Sequence, residues 1–367
     1  MTYVNKKAIL KFVVIIIIGV FVASATMSSG VLADAPTESE YSDILSNMDG
    51  EGTSSNPYVL TKLDELQAVQ GDLTAHYVLG NDIYASETEN WNSGAGFTPL
   101  GNYVDPFSGY FDGNGYSVDG LSINRPSIND AGLFGRVNSG DIKNIGVTNI
   151  DIQGDNNAGG LVGFIKGANI MNSYSSGEVS GNMDVGGLVG ENANTTIEKS
   201  YSHSNVSGDD RVGGLVGDNE YGSNIMYSYS SGTVTGNTNV GGLVGTDYAT
   251  VTNSYWNSET STQSTSASSA TGLTTAEMTG SAAETNMVNL DFTSVWRTVS
   301  ASDADSSADS YPILDSVESV IVSESSSEED IAVSSTLVSA SVVAFFGIFI
   351  MVVLLFGKDY IPNTFRN

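Results

Sequence analysis

Five copies of one Gly-rich pentapeptide restrict what this chain can fold into more than any other feature. AGLFG begins at Ala131, and GGLVG follows at Gly159, Gly186, Gly213 and Gly241, at spacings of 28, 27, 27 and 28 residues. Self-similarity at such a period marks a solenoid or array, in which no single copy can bury its apolar side alone. Other columns keep step with the motif. Leu133, Leu161, Leu188, Leu215 and Leu243 align, as do Ile142, Ile170, Ile197, Ile225 and Val251. Tyr174, Tyr201, Tyr229 and Tyr255 form a third column, and Val179, Val206 and Val234 a fourth. Ala158, Val185, Val212 and Val240 precede each glycine pair. Ile to Tyr is always four residues, Tyr to Val five, and Val to the pre-glycine residue six.

Only the interval from Leu to Ile varies, as 9, 9, 9, 10 and 8. A paired strand cannot change length without shifting register, so this segment is expected to be a solvent-facing turn. Glu191 to Thr196 and Asp218 to Asn224 are its polar examples, and any ligand specificity is expected there or on adjoining faces. The repeat glycines (Gly159, Gly160 and Gly163; Gly186, Gly187 and Gly190; Gly213, Gly214 and Gly217; Gly241, Gly242 and Gly245) are expected to serve structure. They would allow corners with positive φ and close approach between rungs. The pattern predicts a mostly β chain, a stacked solenoid of about five rungs whose rise is one strand spacing of about 4.8 Å.

The flanks divide as follows. Residues 34–56 are polar and predict a flexible lead-in. Residues 57–130 are expected to be an N-terminal cap, with strands at Tyr58–Leu60 and Tyr77–Leu79, a short amphipathic helix from Leu63 to Leu73, and a tight turn at Asp112-Gly113-Asn114-Gly115. The repeats occupy 131–257, and 258–314 is an exit or cap region that begins with a flexible Ser/Thr-rich loop at Ser258 to Thr275.

The two ends direct the chain to a membrane. Lys6, Lys7 and Lys11 precede an apolar run from Phe12 to Val22, and small-residue cleavage patterns end at Ala25 and Ala33. Residues 1–33 are therefore expected to be a signal peptide. Residues 315–330 form an acidic, Ser-rich stalk. Ile331 to Phe356 is uncharged and long enough to span a bilayer, so 331–356 is expected as a transmembrane helix and 357–367, with Lys358 and Arg366, as a cytoplasmic tail. The expected protein is a single-pass surface protein with its body outside. Between Phe12 and Phe356 lie 8 basic and 41 acidic residues, a net charge of −33. Such a surface repels nucleic acid and stays hydrated at high salt, as a halophilic or archaeal cell surface requires. Solubility alone accounts for it equally.

The inventory for chemistry is short. There is no Cys, hence no disulfide, thiol nucleophile or Cys-based metal site. The two histidines, His76 and His203, lie in neither an H-E-x-x-H pattern nor beside a G-x-S-x-G elbow. GGLVG is never followed by the Lys-Ser/Thr of a phosphate loop. Carboxylates remain. Asp184, Asp209, Asp210 and Asp218 are candidates for paired acid–base work on a glycan, and equally for turn-forming aspartates. Calcium has two nearest clusters, Asp303 and Asp305 with Asp309, and Asp112 with Asn114, neither of which fits a known calcium loop; no cofactor is expected. Two sequons place candidate N-glycans on Asn194 and Asn205, with Asn194 the better sited in the variable turn.

The units GGLVGFIKGANIMNSYSSGEVSGNMDV and GGLVGENANTTIEKSYSHSNVSGDDRV resemble GLUG-motif repeats. These occur in large bacterial and archaeal surface proteins, including some secreted immunoglobulin A peptidases. Asn56-Pro57-Tyr58-Val59-Leu60 and Gly96-Phe97-Thr98-Pro99-Leu100-Gly101 are similar to the usual lead-in, and Asn253-Ser254-Tyr255-Trp256-Asn257 and Tyr311-Pro312-Ile313-Leu314 to the usual exit. The resemblance covers residues 55–315. It implies a right-handed parallel β-helix on a cell surface, and no reaction, since the repeats of such peptidases lie outside the catalytic part. The expected function is therefore non-catalytic: a rigid solenoid for adhesion or cell-envelope interaction, held to the membrane by its C-terminal helix, with an extracellular glycan or protein as partner. The alternative is a glycan-active hydrolase or lyase using paired carboxylates. A spacer without ligand is the third reading.

Overall fold

A computed structural model describes residues 34–299 and 310–315. The expected signal peptide, the stalk beyond Asp315, the transmembrane helix, the tail and the Asp303, Asp305 and Asp309 cluster lie outside the described residues. Among the described residues no helix is long and apolar enough to cross a membrane.

The repeats wind into a parallel β-solenoid, because four ladders run through successive copies and every column meets itself. The Ile column pairs as Ile142, Ile170, Ile197, Ile225 and Val251 in an eight-stranded sheet. The Tyr column pairs as Tyr174, Tyr201, Tyr229 and Tyr255 in an eleven-stranded sheet that also carries Val179, Val206 and Val234. Strands ending on the first glycine of each pair form a four-stranded sheet, from Asn156–Gly159 to Thr238–Gly241. Strands starting one residue after the repeat Leu form a five-stranded sheet, from Phe134–Asn138 to Val244–Asp247, one strand for each of about five turns. The second glycine and the Leu make the bend between these last two sheets. Even there the ladder continues, with Leu161 N donating to Leu188 O at 2.9 Å and Leu188 N to Leu215 O at 3.0 Å.

The Leu, Ile and Val columns are sealed in one continuous core, joined by Val162, Val189, Val216 and Val244. Burying such a side chain is worth about 1.5–3 kcal/mol, and stacking repeats that gain on every turn. The Tyr column differs. Its rings stack rung on rung, Tyr174 on Tyr201 at 4.9 Å and Tyr201 on Tyr229 at 5.0 Å, in a second cluster. That cluster is completed by Met278, Met287, Leu290, Trp296 and Leu314 from the exit region. The exit segment thus folds back along the tyrosines.

Several expectations are corrected. Residues 57–130 are more than a cap. Tyr58–Leu60, His76–Leu79 and Tyr110–Asp112 pair in parallel with one another and extend the Ile sheet before the first motif. The Asp112–Gly115 turn therefore joins strands of two different sheets. The lead-in contains a helix, Glu38–Asn47, started by a capping box between Thr37 and Glu40 and anchored by buried Leu45. Ser258 to Thr275 is tied down: Gly242 N donates to Thr265 O at 3.0 Å, Val244 N to Ser266 Oγ at 3.0 Å, and Thr271–Leu273 pairs with Tyr255–Asn257. Its hydroxyls and backbone supply the partners that a further rung would have supplied.

The glycines and the variable segment also differ from expectation. None of the twelve repeat glycines has positive φ; the left-handed positions fall on Asn157, Asp184, Arg211 and Asn239 before the motif, on Asn172, Lys199, Tyr227 and Asn253 before the Ser that precedes Tyr, and on Asn144 at the matching place in the first unit. Glycine is required for space instead. A Cβ on Gly186 would lie 1.9 Å from Val189 O. The segment after GGLVG is mostly strand, Val189–Ala193 and Val216–Asn219, with Asn192, Asp218 and Asn219 buried. The extra residue of the 10-residue interval is absorbed in the short turn around Tyr221 and Gly222, between the strands Val216–Asn219 and Asn224–Met226. Polarity there signalled an amide ladder: Asn192 Nδ2 donates to Asn219 Oδ1, and Asn219 Nδ2 to Asp247 Oδ1, both at 2.8 Å.

Candidate functional site

Two polar columns flank the glycine corner. Before it stand Asp130, Asn157, Asp184, Arg211 and Asn239, all with φ between 50° and 64°. After it stand Arg136, Phe164, Glu191, Asp218 and Thr246, in register on successive strands. Left-handed backbone suits Asn and Asp, whose short polar side chains bond locally, and here it faces the first column towards the second.

The columns meet through two arginines. Arg136 holds Asp130 with two bonds, Nε to Oδ2 at 2.7 Å and Nη2 to Oδ1 at 3.1 Å, and its guanidinium lies 3.8 Å from the Phe164 ring centroid and 5.1 Å from that of Tyr103. Arg211 bridges two carboxylates, donating from Nη1 to Asp218 Oδ2 at 2.7 Å and from Nη2 to Asp184 Oδ2 at 2.8 Å. Its Nε lies 2.6 Å from Asp184 Oδ1, close enough for charge attraction but not aligned as a hydrogen bond. Asp184 and Asp218 are 4% and 0% exposed.

Burial dominates the proton affinities here. It pushes Asp184 up to about 7 and Asp218 up to about 6, with Arg211 pulling each down and neighbouring acids pushing up. Glu191 is likewise raised to about 7 by burial, then by Asp218 and Glu220. Asp218 Oδ1 is sealed from solvent and has no hydrogen-bond partner among the described residues, which favours a proton there over a bare charge. Carboxyl groups with neutral-range affinities are what acid–base chemistry needs. Such chemistry also needs substrate within hydrogen-bond reach, and both aspartates face Arg211 from buried positions.

The structure thus unites Asp184 with Asp218 and leaves the other two carboxylate candidates outside. Asp209 sits at an outer turn and Asp210 opens the strand Asp210–Gly213; they are bonded to Asn237 and to Thr238 and Asn239 of the next rung. The Thr238 hydroxyl holds Asp210 below the usual carboxylate range. Arg211 and Glu191 were not singled out from the sequence, although an arginine seven residues before Asp218 on the same corner was the available signal. His76 stacks near Tyr110 at 5.5 Å. His203 is packed among Tyr201, Tyr229 and Tyr311, bonds the Ser231 hydroxyl through Nδ1, and is pushed down to about 4 by burial. Asp112 commits its oxygens to Lys143, Asn144 and the Asn114 amide. Among the described residues no three His, Asp or Glu side chains gather as metal ligands would. Asn194 is exposed at a turn; Asn205 is exposed, but its amide donates to Glu178 at 2.9 Å.

Comparison with known proteins agrees with this architecture. Residues 181–207 and 208–235 match the family described as the GLUG motif. The chain is 36% identical over 165 residues to Halomucin of Haloquadratum walsbyi, a match covering 43% of this chain and 2% of that protein. It is 36% identical over 125 residues to a protein of Evansella cellulosilytica described as a Gly-rich membrane protein, covering 33% of this chain and 14% of that one. The matched regions are thus small parts of both curated relatives. A crystal structure from Bacteroides ovatus, described as a proposed immunoglobulin A1 protease, superposes with a TM-score of 0.57 over 73% of this chain and 94% of that one, at 19% identity. At that identity the likeness is one of fold. The chain is a β-solenoid that carries GLUG-motif repeats.

Proposed function

We propose that this chain is a non-catalytic cell-surface protein, displaying a rigid, right-handed β-solenoid for adhesion or cell-envelope contacts. One observation carries the reading: the carboxylates that converge among the described residues, Asp184 and Asp218, each commit an oxygen to Arg211 inside the corner. What the coil offers to solvent is its turns and outer faces. The names of the relatives, Halomucin and a Gly-rich membrane protein, support a surface setting. The apolar run 331–356 supports a single-pass anchor, with the body outside and 357–367 inside. Protease treatment of intact cells expressing the full chain should remove the repeats. Repeats that survive shaving, or a chain that binds neither cells, glycans nor envelope fractions at physiological salt, would sink the proposal.

A glycan-active enzyme is the second reading, favoured by the raised proton affinities of Asp184 and Asp218. The structural neighbour described as a proposed protease adds that a coil of this shape is compatible with an enzyme. Polysaccharide breakdown by the purified chain that is lost in both Asp184→Asn and Asp218→Asn would establish it.

A further inference from the structure

A cleft of about 400 Å³ opens before the first repeat, between the loop of residues 98–103 and the segment 125–130. Its size is that of a small-ligand site. Its walls use up their own acceptors. Gln70 donates to Pro99 O and accepts from Gly101 N, both at 3.0 Å. Asn102 Oδ1 accepts from the amides of Val104 and Asp105, and Asn129 Oδ1 from Asn156 Nδ2. Asp130, the carboxylate of the lining, is held by Arg136 and by Asn157 Nδ2.

What remains available is donors. Arg125 gives Nε to Phe97 O at 3.1 Å and Nη2 to Gly96 O and Thr98 Oγ1, which fixes the guanidinium plane and leaves Nη1 without a hydrogen bond among the described residues, with the Tyr41 hydroxyl near enough to act on its charge. No carboxylate among the described residues pairs with it, in a chain of net charge −29. The side-chain amino groups of Asn102 and Asn129 are equally available. Beside them the ring of Tyr103 is 80% exposed, steadied by Arg136 below it. An aromatic plate next to a fixed guanidinium and two amide donors suits a flat C–H face that carries a carboxylate. We propose that this cleft binds a uronate-bearing saccharide, with Arg125 Nη1 on the carboxylate, Asn102 and Asn129 on ring or hydroxyl oxygens, and Tyr103 against the sugar face. Arginine is the residue suited to planar carboxylate recognition, and charge-assisted bonds are the strong ones.

This deepens the surface reading and rests on it. The test is calorimetric titration of the full-length chain with oligogalacturonate and with its neutral methyl ester. The acid should bind and the ester at least about tenfold more weakly, the loss of one charge-assisted hydrogen bond. Arg125→Gln should bring the acid to the level of the ester. Asn129→Asp keeps the acceptor for Asn156, removes a donor to the sugar and adds a like charge, so it should abolish binding of the acid and weaken the ester by less. Tyr103→Ala, at a side chain 80% exposed, should weaken both saccharides. Lys166→Gln, at an exposed lysine outside the cleft, should change nothing. Equal binding of acid and ester, wild-type binding by Asn129→Asp and Tyr103→Ala, or no binding of either saccharide would overturn the inference. Absence of saccharide binding in a chain that still adheres to cells would remove this site and leave the surface reading intact.

Discussion

Glu191 stands one rung before Asp218 in the column after the glycine corner, and among the described residues no cation or donor bonds it. Its proton affinity is raised to about 7, first by burial and then by the acids beside it. The consequence for stability has a definite sign. An unfolded glutamate loses its proton near 4.3, so between about pH 4 and 7 the folded chain holds a proton that the unfolded chain has lost. Stability therefore falls as pH rises through that window, and the penalty is complete above it. Asp184 and Asp218 act in the same direction, with windows ending near 7 and 6. His203 opposes them. Its folded value of about 4 lies below the usual 6.5, so it costs stability as pH falls from about 6.5 to 4. Glu191→Gln isolates one contributor without breaking an ion pair. It should raise the melting temperature at pH 8, by an amount corresponding to about 1 kcal/mol or more, and change it little at pH 4, where both the folded and much of the unfolded side chain are protonated. A lower melting temperature than wild type at pH 8 would show that the Glu191 charge is instead stabilising.

At the scale of the strand and corner, glycine serves two different needs, and substitution separates them. Gly186 has an ordinary backbone angle, but a Cβ there would lie 1.9 Å from Val189 O, with Gly217 N at 2.8 Å. Neither neighbour is a flexible side chain, so the corner must open and the ladder on both sides must shift. Gly167 has φ of +63° and open space, its nearest neighbour being Ser139 Oγ at 3.7 Å. Gly167→Ala should cost about 1–2 kcal/mol, the penalty of left-handed backbone, while Gly186→Ala should cost more than a buried Leu188→Ala, about 2–5 kcal/mol. Denaturant melts of the three variants rank them, and a mild Gly186→Ala would mean that close approach is not why glycine recurs. This difference explains what could be read in the sequence. The Leu, Ile and Val columns were legible because an in-register parallel stack brings identical positions into contact, so contact shows as recurrence. The reason for the glycines was not, since recurrence is the same whether a position needs φ or space. The polar stretch after the motif misled for a related reason: Asn192 and Asn219 read as loop residues, yet a ladder of amides bonding rung to rung buries them inside a strand. The Arg211 corner was half legible. Asp184 and Asp218 were marked by type, but only the fold shows that 34 residues of sequence close to one guanidinium.

For the molecule as a whole, the exit segment and the charge are the features that no single rung contains. Trp296 is 2% exposed, with its ring 5.9 Å from Tyr201 and 5.6 Å from Tyr229, and Tyr229 donates its hydroxyl to Pro312 O at 2.5 Å. The tyrosine column is thus a track on the flank of the coil, covered by the described part of residues 274–315. Because the Leu and Ile core is a separate cluster, the cover should open by itself. Trp296→Ala should therefore raise hydrogen exchange across 275–299 and leave the strand around Ile197 protected; equal loss in both would make the segment part of the same cooperative unit. Charge acts on everything at once. With 42 acidic against 13 basic residues, like charges outnumber the seven ion pairs found among the described residues, and most of those pairs are at least partly exposed. Exposed pairs are worth little, whereas the repulsion is summed over the whole surface and is destabilising. Salt shortens the range of both, from about 10 Å at 0.1 M to about 3 Å at 1 M. Since repulsion is the larger sum, screening should raise stability. The melting temperature should climb between 0.1 M and 1 M potassium chloride, by about 2–4 °C for each kcal/mol of repulsion removed. The gain should shrink at pH 5, where Asp184, Glu191 and Asp218 are protonated and part of the repulsion is already gone. A melting temperature that fell with salt would mean that the arginine bridges at the glycine corner outweigh the acidic surface, and that the coil is held by its few cations.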